Sequence, residues 1–312
     1  MSDRESDWRR ALYGPDGFFT RGERPSQHFR TAPLVGPELA FALLELLRRT
    51  DAALDRPPVL DFVDVGAGGG ELSAAVRELA SGDLARRLRV TAVDLGPARS
   101  LPGVRWRREL PAAVTGLLVG HEWLDAVPCP VVVGGSVLPP EQRAWLERWW
   151  PLRDGWTAEV GLPRDLAWAD AVARVRGAAL AVDYGHLRAD RAAGRYPDGT
   201  LAGYRRGERV EPVLDGSCDV TAHVALDACA AAAGGAHVLV SQRDALEALG
   251  VRETPPPSGL AATDPHAWLD ASARAGRAAE LRAPGGLGSF GWLLHTSPGV
   301  PPPLPPLPPW RP

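Results

Sequence analysis

The chain has 312 residues, of which 45% are hydrophobic, so it can bury the core of one large α/β domain with insertions or of two modest domains. It contains no lysine, asparagine or isoleucine, a bias typical of a GC-rich genome, so its many arginines do not indicate nucleic-acid binding; nor does the formal charge of −3. Three scattered cysteines exclude a disulfide framework and a paired-cysteine zinc site, and they favour the cytoplasm.

The first 55 residues are predicted to form a lead-in and one helix. Residues 1–10 carry charges of both signs and no apolar stretch, so we expect neither a signal peptide nor a transit sequence. Residues 13–37 are rich in glycine, proline and aromatic side chains, which predicts an ordered loop. Leucines at helical spacing then predict an amphipathic helix over 36–54.

Residues 56–296 are predicted to form the main domain, in which strands and helices alternate. We predict strands at 59–65, 88–94, 114–120, 178–184, 236–241 and 289–295, and helices at 71–81, 164–176, 222–233, 243–249 and 266–281. This pattern predicts an α/β fold of Rossmann-like type, with a mostly parallel sheet and helices on both faces.

Two segments depart from the alternating pattern. The stretch from about 186 to 218 lacks periodicity and is predicted to be an inserted lid or substrate platform. The proline-rich residues 297–312 are predicted to be a flexible tail. No apolar run approaches the ~20 residues that span a bilayer, so no membrane insertion is expected.

A glycine-rich turn follows the first strand of the main domain. Asp64 stands two residues before Gly66, and Gly68 and Gly70 follow at alternate positions. The dinucleotide pattern G-x-G-x-x-G fails, because Glu71 occupies the place of its third glycine. An acidic residue before G-x-G-x-G is instead the methyltransferase arrangement, in which Asp64 faces the amino group of S-adenosylmethionine. A tight structural turn without a ligand remains the alternative.

Asp94 ends the second strand, at the sheet edge where parallel α/β sheets bind ligands. Its carboxylate can accept hydrogen bonds from both ribose hydroxyls of an adenosyl group. A solvated aspartate at the start of a loop is the alternative. Together, Asp64, the glycines and Asp94 favour an adenosyl cofactor, and no metal is required.

Polar side chains after two further strands are the candidate catalytic residues. Glu122 and Asp125 follow the strand at 114–120 and could localise the charge of a guanidinium acceptor. For Asp125, a helix N-cap is an equal alternative. Asp183 and Tyr184 close the strand at 178–184, and His186 follows it; the three could form a substrate wall, although a single histidine is more often structural.

The chain resembles the MidA-like class I S-adenosylmethionine-dependent methyltransferases, relatives of the mitochondrial complex I assembly methyltransferase. The resemblance rests on six motifs in order between residues 13 and 295: Phe29–Pro33 with Tyr13, Asp64–Leu72, His121–Pro128, Val182–His186, Gly199–Arg205 and Asp219–Val224. It implies a Rossmann-like methyltransferase domain, S-adenosylmethionine as cofactor, and a protein arginine, in a respiratory-complex subunit, as methyl acceptor. By the same resemblance His121 is a cofactor-binding residue.

The chain departs from this family at four places. Asp64 replaces the glutamate of the glycine-rich motif, which is a tolerable shortening. Gln27–His28 replaces the family's Gly-Asp, Leu34 replaces a glutamate, and His121 replaces an asparagine. The last three departures leave a small-molecule acceptor, or a non-catalytic assembly factor with the same fold, as alternatives. A nicotinamide oxidoreductase is opposed by the glycine spacing.

Overall fold

The computed structural model describes residues 4–23 and 31–312. Within them, seven strands form one sheet in the order β3-β2-β1-β4-β7-β14-β13. Their bounds are β1 Leu60–Val65, β2 Leu88–Val93, β3 Val104–Arg107, β4 Val114–His121, β7 Val175–Asp183, β13 Ala236–Ser241 and β14 Gly291–Thr296. All neighbouring pairs from β3 to β7 are parallel, whereas β14 runs antiparallel to both β7 and β13. This mostly parallel sheet with its reversed strand is the class I methyltransferase fold, as the sequence predicts.

Helices cover both faces of the sheet. Their bounds are α1 Arg4–Tyr13, α2 Ala32–Val35, α3 Glu38–Ala53, α4 Glu71–Leu79, α5 Gly82–Arg87, α6 Pro140–Trp149, α7 Leu162–Ala173, α8 Arg188–Ala192, α9 Leu226–Ala233, α10 Gln242–Ala248, α11 Ser258–Thr263 and α12 Pro265–Leu281. Successive side chains on a strand point to opposite faces. Accordingly Leu117 packs with the leucines of α3 on one face, and Leu118 packs with Trp168 of α7 on the other. The core therefore consists of two apolar layers that sandwich the sheet.

Short strands build the insertions between the main elements. They are β5 Val131–Val133, β6 Thr157–Glu159, β8 Gly185–His186, β9 Ala202–Arg205, β10 Glu208–Val210, β11 Asp219–Thr221 and β12 Val224–Ala225. Strands β10, β9 and β11 form an antiparallel sheet, which we call the inserted sheet. Strands β9 and β10 lie within residues 186–218, for which the sequence predicts a lid, and β11 follows directly after this segment. Helix α1 packs against the inserted sheet, because Trp8 and Leu12 share an apolar cluster with Val220.

The proline-rich end of the chain differs from the flexible tail expected from its composition. Leu304 and Trp310 are buried, and Leu307 packs partly against the core. The backbone N–H of Trp310 donates to the carbonyl of Leu239 on the edge strand β13 at 2.9 Å. Leu304 and Leu307 pack on the layer that contains the leucines of α3, whereas Trp310 packs on the opposite layer with Trp168. The proline-rich end therefore contacts both layers beside the edge strand, and composition does not reveal these contacts.

No helix within residues 4–23 and 31–312 is both long and apolar enough to cross a membrane.

Candidate active site

Two adjoining cavities lie at the carboxyl ends of β1, β2 and β4. The narrow cavity has a volume of about 80 Å³ and lies between the glycine turn and the inserted sheet; its lining includes Asp64, Gly66, Glu122, Asp125 and Asp219. The wide cavity has a volume of about 260 Å³, and its lining includes Val93, Asp94, Leu110 and Trp123. Both cavities share Gly66, Gly68 and Glu122, so they form one bent cleft.

The glycine turn connects β1 to α4 in a conformation that favours glycine. Gly66, Gly68 and Gly70 have φ angles of 70°, 57° and 83°, all in the left-handed region. A Cβ atom on Gly66 would lie 3.2 Å from the Trp123 side chain, and one on Gly70 would lie 2.5 Å from Leu101. Gly66 and Gly68 line both cavities, whereas Gly70 is the N-cap of α4. The turn therefore leaves backbone groups open to a ligand where side chains would block them.

Asp64 lies at the end of β1 and is buried in the wall of the narrow cavity. Its Oδ2 accepts a hydrogen bond from the Ser73 hydroxyl at 2.8 Å. Burial raises the pKa of Asp64 to about 7, although the hydrogen bond from Ser73 partly offsets this effect. A cationic group beside Asp64 would favour its ionised form.

Asp94, directly after β2, fastens the glycine turn to the next loop. Oδ2 accepts from the backbone N–H of Gly68 at 2.8 Å, and Oδ1 accepts from that of Gly96 at 2.7 Å. Burial raises the pKa of Asp94, and these two hydrogen bonds oppose that shift. Each carboxylate oxygen has a second lone pair, so Asp94 can still accept hydrogen bonds from a ligand in the wide cavity.

His121, the last residue of β4, lines the narrow cavity, and the next residue, Glu122, lines both cavities. Glu122 has φ of 50°, a left-handed conformation that non-glycine residues rarely adopt and that often marks a functional site. Burial, followed by the charges of Asp125 and Asp219, raises the pKa of Glu122 to about 8. Burial lowers the pKa of His121 to about 4, so its ring is neutral. Glu122 Oε1 and His121 Nε2 are buried without a hydrogen-bond partner.

Asp125 belongs to a hydrogen-bonded group that spans three elements. Its Oδ2 accepts a hydrogen bond from the hydroxyl of Tyr184 at 2.5 Å. Oδ2 of Asp183, in turn, accepts from the backbone N–H groups of Leu124 and Asp125 at 3.0 and 3.3 Å. Asp125 lines the narrow cavity, whereas Asp183 and Tyr184 lie behind it and hold it in place. Burial raises the pKa of all three groups.

His186 is placed apart from the glycine turn. Its Nδ1 lies 2.8 Å from the guanidinium of Arg191, which also pairs with Asp227. Its ring packs edge-on against Trp150 at 4.9 Å. Burial, together with the Arg191 charge, lowers the pKa of His186 well below its usual range. His186 is thus a neutral, packed side chain and lines neither cavity.

Among the residues that depart from the family pattern, Leu34 lines the narrow cavity together with Thr31 and Pro33. Residues 27–28, and Phe29 and Arg30 of the first motif, lie outside the described residues.

Two groups of residues at the site are not predicted from the sequence. Asp219 and Thr221 of β11 line the narrow cavity, although the sequence marks them only as part of a motif. Arg164 of α7 is fully buried, and its guanidinium donates to the backbone carbonyls of Asp125, Val127, Ala222 and His223 at 2.7–3.0 Å. Charged side chains are almost never fully buried without partners, but sequence spacing does not reveal which arginine is buried.

Within the described residues, no three histidine, cysteine, aspartate or glutamate side chains are arranged to hold a metal ion. The narrow cavity is instead an acidic space, in which carboxyl oxygens of Glu122, Asp125 and Asp219 lack a partner among the described residues. Such a cavity can bind a cationic organic group and can accept a proton from it.

Comparisons with known proteins agree with this geometry. Residues 139–242, about a third of the chain, match the family model described as "Putative S-adenosyl-L-methionine-dependent methyltransferase". The chain is similar to a "likely methyl transferase" from Burkholderia thailandensis bound to S-adenosyl-homocysteine: the TM-score is 0.77 at 22% identity, over 96% of this chain and 88% of that one. A native structure of an uncharacterized protein from the same organism gives a TM-score of 0.73 at 22% identity and the same coverage. No curated protein matches the chain significantly.

Proposed function

We propose that the chain is an S-adenosylmethionine-dependent methyltransferase of the MidA-like family that methylates arginine in a protein. One observation carries the proposal. The glycine turn and Asp94 line the wide cavity, and the carboxyl groups of Glu122, Asp125 and Asp219 line the narrow cavity, which is the acidic arm of the cleft. The family model and the shared fold support methyl transfer, and the acidic arm supports a cationic acceptor. We further propose that the protein acts in the cytoplasm, where its buried free thiols would remain reduced.

The wide cavity fits the adenosyl part of the cofactor. Val93, Leu110 and Trp123 supply apolar surface for a base, and Asp94 supplies acceptors for ribose hydroxyls. The open backbone at Gly66 leads from there into the narrow cavity, where Asp64 would hold the ammonium of the methionine moiety. S-adenosylmethionine, when bound, supplies a methyl group on a positively charged sulfur.

Glu122 and Asp125 are the proposed catalytic residues, because both line the cavity on the acceptor side. Their carboxylates would localise the charge of the guanidinium and direct one nitrogen at the methyl carbon. As the new N–C bond forms, the S–C bond breaks and its electron pair stays on sulfur. The nitrogen then gives its extra proton to Glu122, whose raised pKa suits it to accept one. Asp183 and Tyr184 are positioning residues for Asp125.

Labelled methyl transfer tests the proposal. Purified protein is incubated with tritium-labelled S-adenosylmethionine and a lysate of its own host, and labelled proteins are digested and analysed by mass spectrometry for methylarginine. Methylarginine that depends on the intact protein supports the proposal. Label in small molecules alone would identify a small-molecule methyltransferase. Cofactor binding without any transfer would favour a non-catalytic assembly factor.

A further inference from the structure

We propose that Asp219 of the inserted sheet is a specificity-determining residue that selects a cationic methyl acceptor. This inference rests on the proposed function, because it concerns the acceptor arm of the same cleft. Neither the glycine turn nor the main sheet carries Asp219. The insertion would therefore supply charge to the site in addition to covering it.

Strand geometry fixes the direction of Asp219. Asp219 and Thr221 are two residues apart on β11, so they share one face, and both line the narrow cavity. Val220, between them, faces the opposite way into the apolar cluster with Leu12. Trp8 Nε1 donates to the carbonyl of Val220 at 3.0 Å, which ties β11 to α1. Packing on the far side of the strand thus holds Asp219 towards the cleft.

Among the residues that the structure describes, no cation pairs with Asp219. Asp219 is 1% exposed, and its Oδ1 has no hydrogen-bond partner within residues 4–23 and 31–312. Oδ1 of Asp125 and Oε1 of Glu122 are equally buried and unpartnered. Burial raises the pKa of Asp219 to about 8, and the charge of Asp125 adds to the shift. Burial raises the pKa of Asp125 and the buried charge of Arg164 lowers it in part, but the Arg164 guanidinium donates its hydrogen bonds to backbone carbonyls.

Three carboxyl groups from two separate parts of the chain therefore line one narrow cavity. Isolated buried charge is costly, so such a group either stays protonated or binds a cation. A guanidinium suits this geometry, because its planar fork of N–H donors can serve several carboxylates at once. An uncharged acceptor of the same shape would leave the carboxyl groups without a counter-charge and would bind more weakly.

Calorimetric titration with a matched pair of probes tests this inference. L-Argininamide is titrated into the protein with and without S-adenosylhomocysteine, and L-citrullinamide, the uncharged analogue, is titrated in parallel. We expect Asp219→Asn to weaken argininamide binding about tenfold or more and to leave citrullinamide binding unchanged. Asp215→Asn is the matched control, since Asp215 is an exposed aspartate of the same segment and should leave both affinities unchanged.

Three outcomes overturn the inference: the wild type binds the two probes with equal affinity, argininamide does not bind at all, or Asp219→Asn weakens the binding of both probes equally. The wild-type comparison between probes keeps the test valid even if the variant does not fold. Tighter binding of Mg²⁺ or Zn²⁺ than of argininamide, lost in Asp219→Asn, would replace the inference by a metal site. Failure of S-adenosylhomocysteine to bind would instead refute the proposed cofactor, and the probe titration without it still tests Asp219.

Discussion

The hydroxyl of Tyr184 lies 2.5 Å from Oδ2 of Asp125 and 2.8 Å from Oγ1 of Thr221, so it links the end of β7 to the acidic wall and to the inserted sheet. A phenol has a single hydrogen, and the shorter contact to a carboxylate is where that hydrogen is donated. Asp125 is thereby held with its other oxygen, Oδ1, unpartnered and buried. The arrangement leaves one oxygen of Asp125 for a ligand.

Tyr184→Phe is expected to lower the turnover number about tenfold, because Asp125 loses the hydrogen bond that orients it. Cofactor affinity should not change, since Tyr184 does not line the wide cavity. Steady-state kinetics and cofactor titration measure the two effects separately. Tyr196→Phe is the control for loss of a tyrosine hydroxyl outside this network. If both variants have the same turnover number, Tyr184 does not position Asp125.

Glu122→Gln is expected to lower turnover by about 10² or more while the cofactor dissociation constant changes little, because the amide cannot accept the proton. Single-turnover methylation together with cofactor titration gives both quantities. Loss of cofactor binding, with turnover of the bound complex preserved, would make Glu122 a cofactor ligand instead.

Arg164→Met is expected to destabilise the protein by about 3–5 kcal/mol, because four buried carbonyl groups lose their donor while the volume is nearly kept. The free energy of unfolding in urea measures this change. Arg174→Met, at the end of the same helix, is the control: its exposed pair with Asp170 is worth less than about 1 kcal/mol. If the two substitutions cost the same, Arg164 does not hold the site loops together.

Stability is expected to fall as the pH rises from about 6.5 to 8. The folded-state pKa values of Asp64, Glu122 and Asp219, about 7, 8 and 8, exceed their unfolded values, so the folded protein holds protons that the unfolded chain has released. These carboxyl groups contribute fully to stability at a pH below their unfolded-state pKa. The contribution is lost as the pH rises through their folded-state pKa. Histidines with lowered pKa, such as His121, act in the opposite direction, but below about pH 6.5.

Asp219→Asn isolates one of these carboxyl groups. In this variant the free energy of unfolding should decrease less steeply with pH, by up to about 1.4 kcal/mol per pH unit. Urea unfolding at pH 6.5, 7.25 and 8 measures the slope. A wild-type slope of zero, or the same slope in the variant, would contradict the raised pKa of Asp219.

The order of the main elements could be predicted from the sequence because it is a local signal. Leucines at helical spacing mark α3, and apolar runs bounded by glycine or proline mark β1, β4 and β7. The half-exposed edge strand β3 was not predicted, because Val104–Arg107 alternates apolar and charged residues over only four positions. The packing of the proline-rich end is not predicted, because its few apolar residues stand among prolines and match neither a helix nor a strand pattern.

The candidate site could be predicted only in part, for a similar reason. Asp64 lies at the end of β1, and Asp94 and Glu122 directly follow β2 and β4, so topology alone predicts that they lie at one edge of the sheet. Asp219 comes from a strand of three residues in an insertion, and its place depends on packing of Val220 against α1. Whether His186 faces the cleft or Trp150 likewise depends on contacts distant in sequence.

Calorimetric titration of S-adenosylhomocysteine and of NAD into the wild-type protein and Asp94→Ala tests the central claim most directly. The account predicts that S-adenosylhomocysteine binds one site per chain, that NAD does not compete for it, and that Asp94→Ala weakens binding by about 1–3 kcal/mol through lost charge-assisted hydrogen bonds. Asp83→Ala is the control: Asp83 is exposed, so this variant should bind S-adenosylhomocysteine with the affinity of the wild type. Binding of NAD in place of S-adenosylhomocysteine, or an unchanged dissociation constant in Asp94→Ala, would contradict the account.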